Sequence, residues 1–178
     1  MYAAIMERLL PVIHVAQAVG GASTLYFCYV SIKNLQRYEK KTEKAAEYSN
    51  TAAEQLHRTR TTQGSALVTV LTSLFTSAFL LYTSVRPSES AHPSSSPWLA
   101  IGLNGGNIAN LVLTRKHVAG FWKNRAKVPF VEGYNEAISS TANIIKSLER
   151  LAMGWSMSAA VTVSPKELDR KMSKSTGR

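Results

Sequence analysis

Residues 66–85 read ALVTVLTSLFTSAFLLYTSV, a run of 20 residues without a charged side chain. A helix of this length rises about 30 Å, the thickness of the hydrocarbon core of a bilayer. Arg58 and Arg60 precede the run and Arg86-Pro87 follows it. The Ser and Thr hydroxyls within it can bond to backbone carbonyls or to a neighbouring helix. The stretch predicts a membrane-spanning helix.

A second span is predicted at residues 9–32, which contain no charged residue. Aromatic residues cluster near its end at 26, 27 and 29, where side chains of a span meet the membrane interface. Pro11 falls in the expected first turn, where proline is tolerated. Gly20 and Gly21 offer a small-residue surface for close packing of another helix.

The third predicted span, residues 98–114, reads WLAIGLNGGNIANLVLT and is short and polar. Asn104, Asn107 and Asn110 recur every three residues, so their amides form a stripe along one side of a helix. Amides facing lipid would cost several kcal/mol in total, whereas amides facing other helices can hydrogen-bond. We therefore expect the stripe to face the inside of a bundle, where it could bind a substrate.

The fourth segment, residues 142–163, is ambiguous. Residues 151–163 are apolar, but Lys146, Glu149 and Arg150 share one helical face directly before them. The helix either lies in the membrane interface or spans with its charges near one membrane end or inside the bundle. Spanning is the preferred interpretation, and Pro165 is the expected end of the helix.

The predicted fold class is therefore all-α, an integral membrane bundle of four helices forming one domain over residues 1–163. Residues 33–60 are rich in Glu, Lys, Ala and Gln, and predict a solvated helix between the first two spans. Residues 115–134 predict an interfacial connector. The basic segment 164–178 is expected to be a disordered tail.

The chain carries 21 Lys and Arg against 11 Asp and Glu, a net charge of +10. The basic residues flank the apolar segments, which indicates a lipid bilayer as partner and argues against nucleic acid. Basic loops face the cytoplasm, so residues 33–60 are expected there and residues 88–96 on the opposite side. Four spans would place the basic tail on that opposite side as well, and three would place it in the cytoplasm. We expect a multi-pass protein of the endoplasmic reticulum or another endomembrane.

Sequence motifs of metal, nucleotide and hydrolase sites are missing, and the single Cys28 excludes an internal disulfide. No cofactor and no metal are expected. His14 lies inside a span, where an ionisable group is a functional candidate, although a neutral histidine bonded to a neighbouring polar side chain is the plainer interpretation. His57 and His117 flank spans and could face the mouth of the bundle. His92 lies in a Ser/Pro loop and has no expected role.

Several of these features resemble the anthrone-oxygenase-like family, small membrane proteins of aromatic-polyketide pathways. The resemblance covers most of residues 9–163, mainly as a hydropathy outline. It is carried by His57-Arg58 before the second span, by Asn107 and Asn110-Leu111 in the third, and by Leu148-Glu149-Arg150-Leu151 through Trp155 in the last helix. The family's Pro-Thr before the Asn is Ile-Ala here, and its His and Arg after the final Trp are Ser156, Met157 and Ser158.

The resemblance implies a cofactor-independent monooxygenase that acts on an apolar anthrone-type aromatic polyketide in secondary metabolite biosynthesis. His14 and His57 would be the catalytic residues. The side chains that bind the phenolic oxygens would be Asn104, Asn107, Asn110 and Trp155. The alternative is a non-enzymatic membrane scaffold or assembly factor that docks a protein partner through residues 33–60. A transporter is the third class, weakly supported because Glu149 is the only acid within a candidate span.

Overall fold

The computed structural model describes residues 2–47, 50–85, 97–123, 125 and 132–176, and these residues are helical apart from a few at helix ends. The helices are α1 (Tyr2–Ala46), α2 (Asn50–Val85), α3 (Pro97–Trp122) and α4 (Glu132–Thr176). The prediction of an all-α chain with four helices is confirmed.

The four helices form an antiparallel up-and-down bundle. Only residues 47–49 separate α1 from α2, and so short a connection makes the two helices antiparallel neighbours. α1 packs against α2 and α4, and α3 packs against the same two helices, which closes the square. A Cβ added at Gly21 would lie 2.7 Å from Leu74 Cδ2, so glycine permits the close approach of α1 to α2.

Contacts between helices divide the bundle into two halves along its axis. Gly20 of α1 faces Leu151 of α4, and Thr69 of α2 bonds to Asn110 of α3. These contacts mark the boundary. We call residues 9–24, 71–85, 98–108 and 151–163 the upper half, and residues 25–46, 50–70, 109–122 and 132–150 the lower half.

The helices run beyond the predicted spans. α3 continues through the basic residues after Thr114 to Trp122, and α4 continues past Pro165 to Thr176, where a disordered tail was expected. α1 begins at Tyr2, so Pro11 lies inside the helix and not in its first turn. Proline in a helix removes one backbone hydrogen bond, and α1 nevertheless continues on both sides of Pro11.

Residues 33–60 do not form a separate helix between the first two spans. Residues 33–46 prolong α1 and residues 50–60 begin α2, and the chain reverses between them. Arg60 and Glu39 form an ion pair across this hairpin, with Nε and Oε1 3.0 Å apart. The hairpin keeps the expected helical character, but its two arms pack against each other.

Large apolar side chains are exposed on the outside of all four helices. On α1 they run from Leu9 to Tyr29, on α2 from Val68 to Val85, on α3 from Trp98 to Leu113 and on α4 from Met153 to Val163. We call this surface the apolar band. Along α1 it covers about 30 Å at 1.5 Å per residue. Two described stretches, Arg8–Arg37 and Ala53–Val85, are long and apolar enough to cross a membrane.

Candidate functional site

The interior of the upper half is polar. It buries polar side chains from all four helices, among which Thr24, Thr76 and Ser77 bond to backbone carbonyls of their own helix. The others, together with one buried tryptophan, form what we call the polar core: His14, Gln17, Ser73, Asn104, Asn107, Trp155 and Ser158. In an ordinary soluble bundle, the buried side chains are mostly apolar. Here polar groups lie inside and the apolar band lies outside, at the same level of the bundle.

A chain of contacts connects three helices across the polar core. His14 Nδ1 lies 2.9 Å from Gln17 Oε1, and because a carbonyl oxygen only accepts, Nδ1 is the donor. This bond leaves the lone pair of a neutral His14 on Nε2. The His14 ring lies 6.0 Å from the Trp155 ring, and Trp155 Nε1 donates to Ser73 Oγ at 2.8 Å. His14 is thus a buried potential base beside a fully buried aromatic ring.

Two members of the asparagine stripe face the interior. Asn104 Nδ2 donates to Ala100 O at 2.8 Å, and Asn107 Nδ2 donates to Leu103 O at 2.9 Å. Each amide therefore donates an N–H to a backbone carbonyl of its own helix, and its oxygen is buried in the interior of the bundle. Asn110 differs, because its Oδ1 accepts a hydrogen bond from Thr69 of α2 at 3.3 Å. Asn110 ties two helices together and is not part of the polar core.

Four atoms of the polar core are buried without a hydrogen-bond partner in the protein. They are Gln17 Nε2, Asn104 Oδ1, Asn107 Oδ1 and Ser158 Oγ. A buried polar group that stays unpaired costs about 1–3 kcal/mol, so a bound molecule that pairs with several of these groups would recover that free energy. The set combines an amide donor, two carbonyl acceptors and a hydroxyl, which suits a molecule carrying both phenol-like and carbonyl oxygens.

A groove between α1 and α4 reaches the polar core from outside. Its cavity measures about 520 Å³, within the range of small-molecule sites. Gln17 forms part of its wall and Gly154 lies beside the Gln17 side chain, while Ile13, Phe27 and Met157 make the rest largely apolar. The groove opens onto the apolar band. An apolar molecule could therefore enter from that side and meet the amide of Gln17.

The structure does not bring His57 together with His14. His57 lies on α2 16 residues before Ser73, about 24 Å along the helix at 1.5 Å per residue, whereas Ser73 bonds to the ring beside His14. His57 instead lines a cleft of about 570 Å³ between α2 and α3. We call it the cationic cleft, and its wall includes His57, Arg58, His117, Gly120, Phe121 and Arg125.

The charged face of α4 contacts α3. Glu149 Oε2 accepts from Arg115 Nη2 at 2.8 Å, and both side chains are about two-fifths exposed. Arg150 lines the α1/α4 groove on the other side of the same helix. The charges of α4 thus lie at grooves of the bundle, on a helix that packs along α1 and α3.

Sequence reasoning identified His14, Asn104, Asn107 and Trp155 but missed the other members of the polar core. Gln17 had a detectable signal, because it follows His14 by three residues in an uncharged stretch and so shares its helical face. Ser73 and Ser158 had none, since serine is frequent throughout these helices and only the packing selects individual ones.

Within the described ranges, no three His, Cys, Asp or Glu side chains gather in a way that could hold a metal ion. No protein-family model, no curated protein and no solved structure matches the chain. The resemblance to the anthrone-oxygenase-like family therefore stays a prediction.

Proposed function

We propose that the chain is an integral membrane protein whose four helices cross the bilayer as a bundle. The single observation that supports this proposal is the reversed polarity of the upper half, apolar outside and polar inside. In water, an apolar surface on every helix would cost about 25 cal/mol per Å² of exposed area. In lipid that surface is solvated, and the polar groups must be placed inside. The axial length of the band, about 30 Å, equals the hydrocarbon thickness.

The polar core and the α1/α4 groove together form the binding site of this proposal. An apolar aromatic molecule dissolved in the bilayer would enter between α1 and α4 and pack against Phe27 and Leu151, which line the groove. A carbonyl oxygen of the molecule would accept from the unpartnered Nε2 of Gln17, which lines the groove. A phenolic hydroxyl that reached further into the polar core would donate to Asn104 Oδ1 or Asn107 Oδ1. Two such pairings would make the binding free energy of an oxygenated ligand more favourable than that of its hydrocarbon analogue by at most roughly 2–6 kcal/mol.

The proposed reaction is oxidation of an anthrone-type substrate, with His14 alone as the base. Its Nε2 would remove a proton from the ring methylene, and the resulting carbanion is reduced enough to react with O2. The hydroperoxide that forms loses water, so anthrone and O2 give a quinone and one water. Support comes from the burial of His14 beside Trp155 and from the unpartnered Nε2 donor of Gln17, which could stabilise the enolate oxygen. His57 has no part in this step, because it belongs to the cationic cleft.

The alternative proposal is a membrane scaffold. The hairpin made by residues 33–46 and 50–60 supports it, because an antiparallel pair of helical ends rich in charge is a suitable docking element for a protein partner. The Arg60–Glu39 ion pair holds its two arms together, with Arg60 half exposed and Glu39 only 14% exposed, so the hairpin offers a partner an ordered surface. This proposal does not use the polar core.

Binding of anthrone and anthracene to the purified protein in detergent, under anaerobic conditions, tests the proposed site. The two molecules share the tricyclic skeleton, and only anthrone carries an oxygen. We expect quenching of tryptophan fluorescence, to which Trp98, Trp122 and Trp155 all contribute, with anthrone binding at least tenfold more tightly than anthracene. Gln17→Leu should remove this preference, because Gln17 Nε2 is the unpartnered donor from which the ketone oxygen of anthrone can accept, while leaving anthracene binding within about twofold.

Asn110→Leu is the matched control for that experiment. It also replaces an amide side chain by leucine, but on α3, at a position outside the groove where the amide oxygen already bonds to Thr69. It should therefore preserve the preference for anthrone. Equal affinities of the wild type for the two ligands would rule out the oxygen-binding site and favour the scaffold. Conversion of anthrone to a quinone under air, lost in His14→Phe, would support the reaction itself.

A further inference from the structure

The cationic cleft lies at the lower edge of the apolar band. His117 follows Leu113, the last exposed large apolar residue of α3, by four residues, which is about 6 Å along the helix. Thr61 precedes Val68 on α2 by seven residues, about 10 Å. The polar headgroup layer on each side of a bilayer is about 5–8 Å thick. If the apolar band spans the hydrocarbon, the cleft begins in the headgroup layer at His117 and extends beyond it to Arg58, which lies ten residues, about 15 Å, before Val68. A lipid phosphate could therefore enter the cleft from its upper end.

The charges that line the cleft are positive. Of the described residues in its wall, Arg58 and Arg125 carry guanidinium groups, His57 and His117 carry imidazoles, and none is acidic. Guanidinium groups bind phosphate oxygens with paired, charge-assisted hydrogen bonds. Arg58 also bonds to Glu54 one turn away on the same helix, at 2.7 Å, and more than half of each side chain is exposed. That exposed pair is weak and can open toward a doubly charged anion.

Arg125 is held in place without losing its charge. Its Nη2 donates to the neutral amide oxygen of Gln55, and its guanidinium carbon lies 4.5 Å from the centre of the Phe121 ring. The amide and the ring fix the position of the guanidinium from two sides. An ordered cation loses less side-chain entropy when it binds an anion than a free one does, so Arg125 is prepared for binding.

Gly120 keeps the wall of α3 open. A Cβ added there would meet nothing within 4 Å, so the cleft extends to the helix backbone at this point. The cavity of about 570 Å³ has room for a phosphate group together with part of the molecule that carries it. We infer that the cationic cleft binds a phosphate group, carried by a lipid headgroup at the lower membrane surface. The lipid origin rests on the proposed membrane insertion, whereas phosphate binding does not.

Ligand binding to the full-length protein in detergent tests the inference, with short-chain phosphatidic acid, phosphatidylcholine and inorganic phosphate as probes. We expect one equivalent of phosphatidic acid to bind at least tenfold more tightly than phosphatidylcholine. Arg58→Gln/Arg125→Gln should weaken that binding at least tenfold. Lys116→Gln/Lys123→Gln removes the same charge at a similar level of α3 but outside the cleft, and should change the affinity less than twofold.

A second variant separates binding from folding. Gly120→Leu keeps every charge, its Cβ would meet nothing within 4 Å, and the rest of its side chain would occupy part of the cleft, so it should also weaken phosphatidic acid binding at least tenfold. Equal losses of phosphatidic acid affinity in Arg58→Gln/Arg125→Gln and in Lys116→Gln/Lys123→Gln would mean that only net charge matters, and would overturn the inference. Inorganic phosphate binding as tightly as phosphatidic acid would overturn the lipid origin. Carbonate extraction reports membrane insertion independently, so failure of either proposal can be distinguished from failure of the other.

Discussion

The upper and lower halves of the bundle differ in how their polar side chains bond, although Trp155 Nε1 of the upper half also donates to Ser73 Oγ on another helix. In the lower half, polar groups bond from helix to helix: Gln63 Nε2 donates to Thr141 Oγ1 at 2.8 Å, and Thr141 lies 3.3 Å from Ser31 Oγ. Trp122 Nε1 likewise donates to Thr62 Oγ1 at 3.0 Å. In the upper half, the amides of Asn104 and Asn107 bond back to their own helix.

The difference separates packing from binding. Hydrogen bonds between helices hold the lower half together, and its core also contains large apolar side chains such as Leu111, Ile144 and Leu148. The upper half buries fewer large apolar side chains and leaves four polar atoms unpartnered by the protein. A bundle gains no stability from such atoms. Among the described residues, four of the six such atoms lie in the upper half, and Gln63 Oε1 and Arg115 Nε lie in the lower half. A ligand of the upper half would account for their concentration there, and the variants below test the comparison.

The largest effect is expected from a charge placed on the apolar band. Phe75 is 73% exposed and lies near the middle of the band on α2. A lysine at the centre of a spanning helix costs about 2.5–3.5 kcal/mol, so Phe75→Lys should strongly reduce membrane insertion. Recovery after alkaline carbonate extraction measures the loss.

Ala53→Lys is the control for Phe75→Lys. Ala53 is also exposed on α2, but it lies near the start of the helix in the lower half, below the band. This variant should insert as well as the wild type. If Phe75→Lys also inserts normally, or the wild type appears in the soluble fraction, the membrane proposal is wrong.

The sequence predicted the helices better than their ends. Uncharged runs such as residues 66–85 identify the helices because a helix without a polar face must be buried or lie in lipid. Hydropathy does not mark helix ends, and α4 continues past Pro165 because the residues beyond it favour helix. The reversal at residues 47–49 was missed, since residues 33–60 contain no Gly or Pro to mark a turn.

The candidate site was predicted in part. Asn104 and Asn107 were placed correctly on the inner face, because uncharged amides in an apolar helix need shelter from lipid. Asn110 was assigned the same role, but each step of three residues rotates the helix by about 300°, so Asn110 drifts toward α2. Pairing His57 with His14 failed, since neither residue type nor hydropathy reports distance along the bundle axis.

Removing a polar side chain is expected to lower the stability of the fold in the lower half and to preserve or raise it in the upper half. Thr69→Val in the lower half loses bonds to Asn110 at 3.3 Å and Thr114 at 2.8 Å, and should destabilise the fold by about 1 kcal/mol. Asn107→Leu in the upper half removes a buried unpartnered oxygen and should leave stability unchanged or raise it by up to about 1 kcal/mol.

Thermal unfolding of both variants in one detergent measures the two shifts. Thr72→Val is the control, because Thr72 is exposed on α2 and bonds only to Val68 O of its own helix among the contacts described. It should shift the midpoint by less than either variant. Should Asn107→Leu cost as much as Thr69→Val, the amide of Asn107 would belong to the packing of the bundle, and the distinction between the halves would fail.

The smallest effect on stability is expected from replacing glycine by alanine at an inner and at an outer position of the upper half. Alanine stabilises a helix by about 1 kcal/mol relative to glycine where space permits. A Cβ at Gly21 would lie 2.7 Å from Leu74, so Gly21→Ala should destabilise the fold by about 1 kcal/mol through overpacking. A Cβ at Gly106 would meet nothing within 4 Å, so Gly106→Ala should stabilise it by up to about 1 kcal/mol. Unfolding midpoints in detergent give both signs.

Gly102 and Gly106 lie four residues apart on the outer face of α3, a spacing at which spanning helices pack closely. Destabilisation by Gly106→Ala would therefore mean that another helix covers this face, and that the band is not in contact with lipid all the way round.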